Sequence, residues 1–297
     1  MKKPVFTGAG CAIVTPFTGR DNEKVDYDRF GELIEYQISG HTDAIIVCGT
    51  TGESSTMPDD EHLSVIEYAV HKVAGRIPVI AGTGSNDTSH GINLSKEAVK
   101  LGADALLQVT PYYNKATQKG LVKHYSAIAA AVDVPIILYN VPSRTGVNIA
   151  PDTLRELSKI PNVSGVKECN LAQLSEVRCK CGDELNIWSG EDGQVSLMMG
   201  AGGSGVISVV SNVYPEIMHD MVMKYINGDV KGSWELQARI MPLVKALFCE
   251  VNPIPVKAAL NIKGIGVGGC RLPLCEMEEG NLETLRSVIG KFEESMK

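Results

Sequence analysis

A chain of 297 residues, 44% of them hydrophobic, has enough apolar content to bury the core of one α/β barrel as a single domain. Its formal net charge of −7, with lysine and arginine scattered along the chain, excludes the basic stripe a phosphate backbone needs, so no nucleic-acid partner is expected. No stretch approaches the roughly 18 apolar residues of a membrane span. Met1-Lys2-Lys3-Pro4-Val5 does not lead into an unbroken apolar run either, so a soluble cytoplasmic protein without a membrane partner is expected. The eight cysteines read as reduced, small apolar fillers. Cys169, Cys179 and Cys181 lack the two-pair spacing of a zinc site, and no metal is expected.

Short runs rich in Val, Ile and Leu recur along the chain, each followed by an amphipathic stretch of helical period. Strands are expected at 11–15, 43–48, 78–82, 105–109, 135–139, 164–167, 186–189 and 205–208, and helices between them at 27–39, 58–73, 89–101, 118–132 and 151–157. Several helices open on Pro or Asp, which a first turn tolerates or prefers. Eight such units imply a parallel (β/α)8 barrel, over residues 1–225. Helical stretches at 215–227, 231–249, 255–262 and 281–296 close the barrel and supply a C-terminal extension over 226–297. A dinucleotide fold would need G-x-G-x-x-G after the first strand, where Thr15-Pro16-Phe17 stands instead. Gly82-Thr83-Gly84 has two of the three glycines, Ala201-Gly202-Gly203-Ser204-Gly205 precedes a strand, and neither a nucleotide nor any other cofactor is called for.

Barrel active sites form at the carboxyl ends of the strands. The sixth strand ends on Val166-Lys167-Glu168, placing a lysine where its side chain can turn into the barrel mouth, although strand-end lysines more often extend to solvent. In a low-dielectric mouth a lysine loses proton affinity and becomes an amine able to condense with the carbonyl of a 2-oxo acid. The resulting imine draws electrons from the adjacent methyl and needs proton carriers. Hydroxyls stand at three other strand ends: Thr50 and Thr51, Tyr112 and Tyr113, and Tyr139. Taken singly, each has a packing or turn reading. Cys48-Gly49-Thr50-Thr51-Gly52-Glu53-Ser54 frees backbone N–H groups toward a carboxylate, and Arg144 offers a fork for a second one or a surface loop charge.

Gly49-Thr50-Thr51-Gly52-Glu53, Leu138-Tyr139-Asn140-Val141-Pro142 and Gly165-Val166-Lys167-Glu168, in that order, resemble the pyruvate-dependent aldolase superfamily of N-acetylneuraminate lyase and dihydrodipicolinate synthase. Pro142-Ser143-Arg144-Thr145-Gly146, Thr110-Pro111-Tyr112-Tyr113-Asn114 and Asn252-Pro253-Ile254-Pro255-Val256-Lys257 resemble the dihydrodipicolinate synthase branch. The resemblance implies that Lys167 forms the pyruvyl imine, that Tyr139 moves its protons, and that Thr50 links Tyr139 to a Tyr113 from a neighbouring subunit. It further implies that Thr51 and Ile207 hold pyruvate, that Gly190 joins them in binding substrate, and that Arg144 receives the carboxylate of aspartate 4-semialdehyde. The implied partners are these two substrates and further copies of the chain, as a homotetramer built from dimers. The product implied is 4-hydroxy-tetrahydrodipicolinate, on the diaminopimelate route to lysine.

Lysine inhibits many members of that branch at a site between subunits, and Ser54, His62, Asn86 and Tyr112 match its positions. Asp59 and His90 stand where the lysine-sensitive pattern has histidine and glutamate, so weak or absent inhibition is expected. Glu168-Cys169-Asn170 also departs from the usual Glu-Ala-Ser or Glu-Ala-Thr. Rival readings are an aldolase for a 2-keto-3-deoxy sugar acid or N-acetylneuraminate, and a barrel that senses a 2-oxo acid without turnover. Lys257, in a proline-rich approach to a helix, is the alternative imine lysine.

Overall fold

A computed structural model describes residues 2–296, so Met1 and Lys297, the outermost residues of the two expected units, lie outside it. Eight strands close a parallel barrel: β1 (Gly8–Ala12), β2 (Ala44–Val47), β3 (Val79–Gly82), β4 (Ala105–Val109), β5 (Ile136–Asn140), β6 (Val163–Glu168), β7 (Asn186–Ser189) and β8 (Gly205–Ser208). The surrounding helices are α1 (Tyr27–Ser39), α2 (Asp59–Val73), α3 (Thr88–Lys100), α4 (Gln118–Ala129), α5 (Pro151–Leu157), α6 (Leu174–Cys181), α7 (Val195–Gly200) and α8 (Pro215–Ile226). Three more follow: α9 (Val230–Leu247), α10 (Ile254–Ile262) and α11 (Glu279–Glu294). The helix ends follow local chemistry. Asp26, Asp87, Thr117 and Asp229 accept hydrogen bonds from backbone N–H groups of the first turns of α1, α3, α4 and α9. Pro151 and Pro215 open α5 and α8 where a missing N–H costs nothing.

Strand alternation divides the core in two. Val79, Ala81, Leu106, Leu138, Val166, Ile187 and Val206 point outward and pack against the helices. Ala12, Ala44, Ile46, Ile80, Ala105, Leu107, Ile137, Tyr139, Trp188 and Ile207 fill the interior with Phe6. The rings of Phe6 and Trp188 stack with centroids 5.2 Å apart. Such a pair is worth about 0.5–1.5 kcal/mol beyond its buried area. This plug makes the lower barrel a packed core and leaves only the carboxyl end open.

β1 differs from the sequence expectation. It runs Gly8–Ala12 and begins three residues before 11–15. Gly8-Ala9-Gly10 lacks the bulky side chains that mark a strand, yet the barrel seam needs the small residues. Gly205 (φ +146°) faces Gly8 across it, and a Cβ on Gly205 would lie 1.9 Å from the Gly8 carbonyl oxygen.

Candidate active site

The register of β5, β6 and β7 builds the centre of the site. Tyr139 pairs with Lys167 and Lys167 with Trp188, and Tyr139 and Trp188 both belong to the interior set. Gly165, two residues before Lys167 on the same face, leaves room for the indole: a Cβ there would meet Trp188 Cζ3 at 2.6 Å. The Lys167 side chain therefore rises above a dry floor. It is 5% exposed, and its Nζ lies 4.3 Å from the centroid of the Tyr139 ring. Burial lowers the Lys167 pKa, outweighing the opposing attraction of Cys169, Asp192 and Glu191.

Hydroxyls face this amine from β2. The turn after Val47 places Thr50 in hydrogen-bonding contact with the Tyr139 phenol, whose pKa burial pushes far above its ordinary value. The turn is fixed from several sides. Thr15 Oγ1 donates to the Gly52 carbonyl at 2.8 Å, and Asn252 Nδ2 donates to Thr51 Oγ1 at 2.9 Å. Glu53, held in the left-handed region at φ 56°, meets Lys257 Nζ at 2.5 Å, with the two side chains 1% and 2% exposed. Lys257 also donates to the Gly269 carbonyl and lies over the Phe17 ring. A lysine so fully engaged anchors the turn and has no free amine to offer a carbonyl.

Thr50, Thr51, Tyr139, Lys167, Arg144 and Gly190 line one cavity of about 170 Å³, a size suited to a small 2-oxo acid and an aldehyde. Arg144 lies on the turn Pro142–Thr145 that follows β5, exposed at the rim, with Nη2 3.3 Å from the Asn252 carbonyl oxygen. Gly190 is required by packing: a Cβ on it would lie 2.2 Å from Cys169 Sγ and 3.2 Å from Lys167 Cε. Ile207 is buried in the barrel interior and is not among the described residues that line the cavity. Tyr113 is not brought to the cavity of its own chain. It is 89% exposed, at a left-handed φ of 72°, on the loop after β4.

Several lining residues were not identified from the sequence, among them Glu191, Phe248 and Asn252. Glu191 and Phe248 carry no motif signal, and Asn252 lies 201 positions from the Thr51 it contacts. The Asn252-Pro253-Ile254-Pro255 string contributed to the family resemblance but gave no role for its asparagine. Cys169, noted as a departure, also proves to line the cavity. Desolvation pushes the pKa of its half-buried thiol up to about 12.

The remaining matched positions cluster outside the cavity. His62 is buried with Nε2 2.8 Å from the Gly82 carbonyl oxygen, and Ser54 is half-buried on the turn leading to α2. His90 bridges Ser85 Oγ and the Asp59 carboxylate, each at 3.0 Å. Asn86 accepts from Asn114 Nδ2 through its carbonyl, and Tyr112 is exposed on the same loop as Tyr113.

A family model described as the dihydrodipicolinate synthetase family matches residues 5–291. The 4-hydroxy-tetrahydrodipicolinate synthase of Acetivibrio thermocellus is 53% identical over 292 residues, covering 98% of this chain and 99% of the relative. That of Caldicellulosiruptor saccharolyticus is 54% identical over 288 residues, covering 96% and 97%. Among solved structures, the chloride-inhibited dihydrodipicolinate synthase of Acinetobacter baumannii complexed with pyruvate superposes with a TM-score of 0.94 at 42% identity, covering 97% of this chain and 99% of that one. With its eight-stranded barrel and C-terminal helices in common with these relatives, the chain belongs to the dihydrodipicolinate synthetase family.

Proposed function

We propose that the chain condenses pyruvate with aspartate 4-semialdehyde to give 4-hydroxy-tetrahydrodipicolinate, the reaction for which its relatives are named. The observation that carries the reading is the Lys167 amine, buried beside Tyr139 in a cavity whose rim holds Arg144. Desolvation lowers the proton affinity of that amine and so favours the neutral form, which attacks the pyruvate carbonyl. Water leaves as the imine forms, and loss of a methyl proton gives the enamine. Its carbon then forms the new C–C bond to the semialdehyde carbonyl. Tyr139 carries protons to and from these steps through Thr50, the Thr51 turn receives the pyruvate carboxylate with Ile207 beneath it, and Arg144 receives the semialdehyde carboxylate.

Tyr113 has no role in its own chain's cavity. Its exposure and strained backbone fit a side chain delivered across an interface, which makes a dimer the smallest complete unit and a dimer of dimers the assembly we favour. The rival sugar-acid reading lacks support at the rim, where an open-chain sugar aldehyde calls for hydroxyl partners and Arg144 offers a fork for a carboxylate. A turnover assay with pyruvate and either aspartate 4-semialdehyde or N-acetylmannosamine separates the two. Consumption of the semialdehyde alone is expected, and turnover of the sugar with none of the semialdehyde would reverse the assignment.

A further inference from the structure

Among the described residues lining the 170 Å³ cavity, Glu191 is the one carboxylate, and Arg144 is the one arginine. Glu191 follows Gly190 at the end of β7, on the wall formed by Cys169 and Lys167, while the Thr50-Thr51 turn enters from β2. Its backbone is fixed. The Glu191 N–H donates to Ser189 Oγ at 3.2 Å and that hydroxyl donates to the Glu191 carbonyl at 2.9 Å, while the carboxylate faces the Cys169 thiol. The next residue, Asp192, is tied to the backbone N–H groups of Val209 and Val210, which locks the β7 exit against the β8 exit. The Glu191 carboxylate also lies within electrostatic reach of both Arg144 and Lys167.

A cavity with one fixed cation and one carboxylate near its amine is complementary to an amino acid, whose own carboxylate and ammonium carry the opposite charges. Pyruvate, with a carboxylate and no ammonium, gains nothing from Glu191. Resting on the function proposed above, we infer that Glu191 binds the α-ammonium of the semialdehyde and accepts the proton that must leave it before ring closure. The α-ammonium N–H bond breaks and the Glu191 O–H bond forms. The freed lone pair then makes the ring N–C bond at the imine carbon, while the C=N π pair moves onto Lys167 Nζ. Arg144 and Glu191 together thus select an amino-acid aldehyde over one that carries a carboxylate alone.

The test compares wild type with Glu191→Gln and Glu191→Asp, using pyruvate, aspartate 4-semialdehyde and 4-oxobutanoate, the analogue that keeps the carboxylate and aldehyde but lacks the amine. In Glu191→Gln the KM for aspartate 4-semialdehyde rises roughly 10- to 100-fold, the effect of losing one hydrogen bond between charged groups. The KM for pyruvate and the inhibition constant of 4-oxobutanoate change less than about threefold, because neither ligand engages this carboxylate. Glu191→Asp, which keeps the charge on a shorter stem, falls between, and it carries the test if the glutamine variant does not fold. An unchanged semialdehyde KM, or an equal weakening of 4-oxobutanoate, overturns the inference and leaves the proposed reaction intact. Absence of semialdehyde turnover by the wild type removes both.

Discussion

Gly190→Ala adds one methyl group at the tightest point of the site. The added carbon would lie 2.2 Å from Cys169 Sγ and 3.2–3.3 Å from Lys167 Cε and Cγ, against an ordinary van der Waals separation of 3.4–4 Å. The sulfur must move by more than 1 Å, and the strand backbone on either side is hydrogen-bonded, so part of the displacement passes to the lysine. Overpacking of this kind costs about 1–3 kcal/mol. Misplacing a reacting group by about 1 Å costs on the order of 100-fold in rate. We therefore expect kcat/KM to fall roughly 100-fold, about 2.7 kcal/mol of transition-state stabilisation. The sulfur is the chief obstacle, so Cys169→Ala introduced into the Gly190→Ala background should recover at least about tenfold, a coupling near 1.4 kcal/mol that a double-mutant cycle reads directly. Steady-state kinetics on the two single variants and the double variant supply the numbers. A Gly190→Ala enzyme within threefold of wild type, or a double variant no better than the single one, would refute the packing argument.

Arg144→Ala should raise the KM for aspartate 4-semialdehyde by roughly 10- to 100-fold and leave pyruvate binding little changed. If only pyruvate binding changed, the role given to Arg144 would be wrong. Lysine should inhibit weakly or not at all, because His90 replaces the acid of the sensitive pattern and is paired to Asp59. Half-inhibition at submillimolar lysine in a steady-state assay contradicts this. Glu168, buried behind Lys167 and held by Asn140, Asn170 and Gln173, is raised by desolvation from 4.5 to about 7. The folded state thus holds its proton more tightly than the unfolded chain, so this contribution is full below pH 4.5 and is lost as pH rises through about 7. On the order of 3 kcal/mol is at stake. Denaturant titrations at pH 5 and pH 8 should show wild-type stability falling by more than that of Glu168→Gln, and parallel changes would exclude the effect. Lys257→Met strands Glu53 Oε1 at 1% side-chain exposure, leaving the carboxylate only the Arg271 N–H on Oε2, and a loss of about 3–5 kcal/mol in chemical denaturation is expected. A loss below 1 kcal/mol would mean that water or a rearranged partner satisfies Glu53.

The barrel was legible because a strand buried on both faces reads as a continuous apolar run, β1 with its glycines excepted, and the eight strands follow the expected order. Helix α1 spans Tyr27–Ser39 and α5 spans Pro151–Leu157, as their caps and periodicity indicate. What escaped had a physical reason. α6, Leu-Ser-Glu-Val-Arg-Cys-Lys-Cys, buries only Leu174, Val177 and Cys181, and α7 is six residues long, too short for its period to register. Lys167, Tyr139, Thr50, Thr51 and Arg144 could be found because barrel chemistry gathers at strand ends. Asn252 reaches the same cavity from the C-terminal extension, by a contact no local pattern encodes. Glu191 looks like any loop acid until the walls around it are counted. The departure at Cys169 becomes meaningful beside Gly190, since the sulfur occupies the space the glycine's missing side chain leaves.

Incubation with pyruvate and sodium borohydride, followed by peptide mass mapping, tests the buried amine itself. The account predicts one reduced pyruvyl adduct per chain, on Lys167, with Lys257 unmodified. An adduct on Lys257, or none on Lys167, would contradict it.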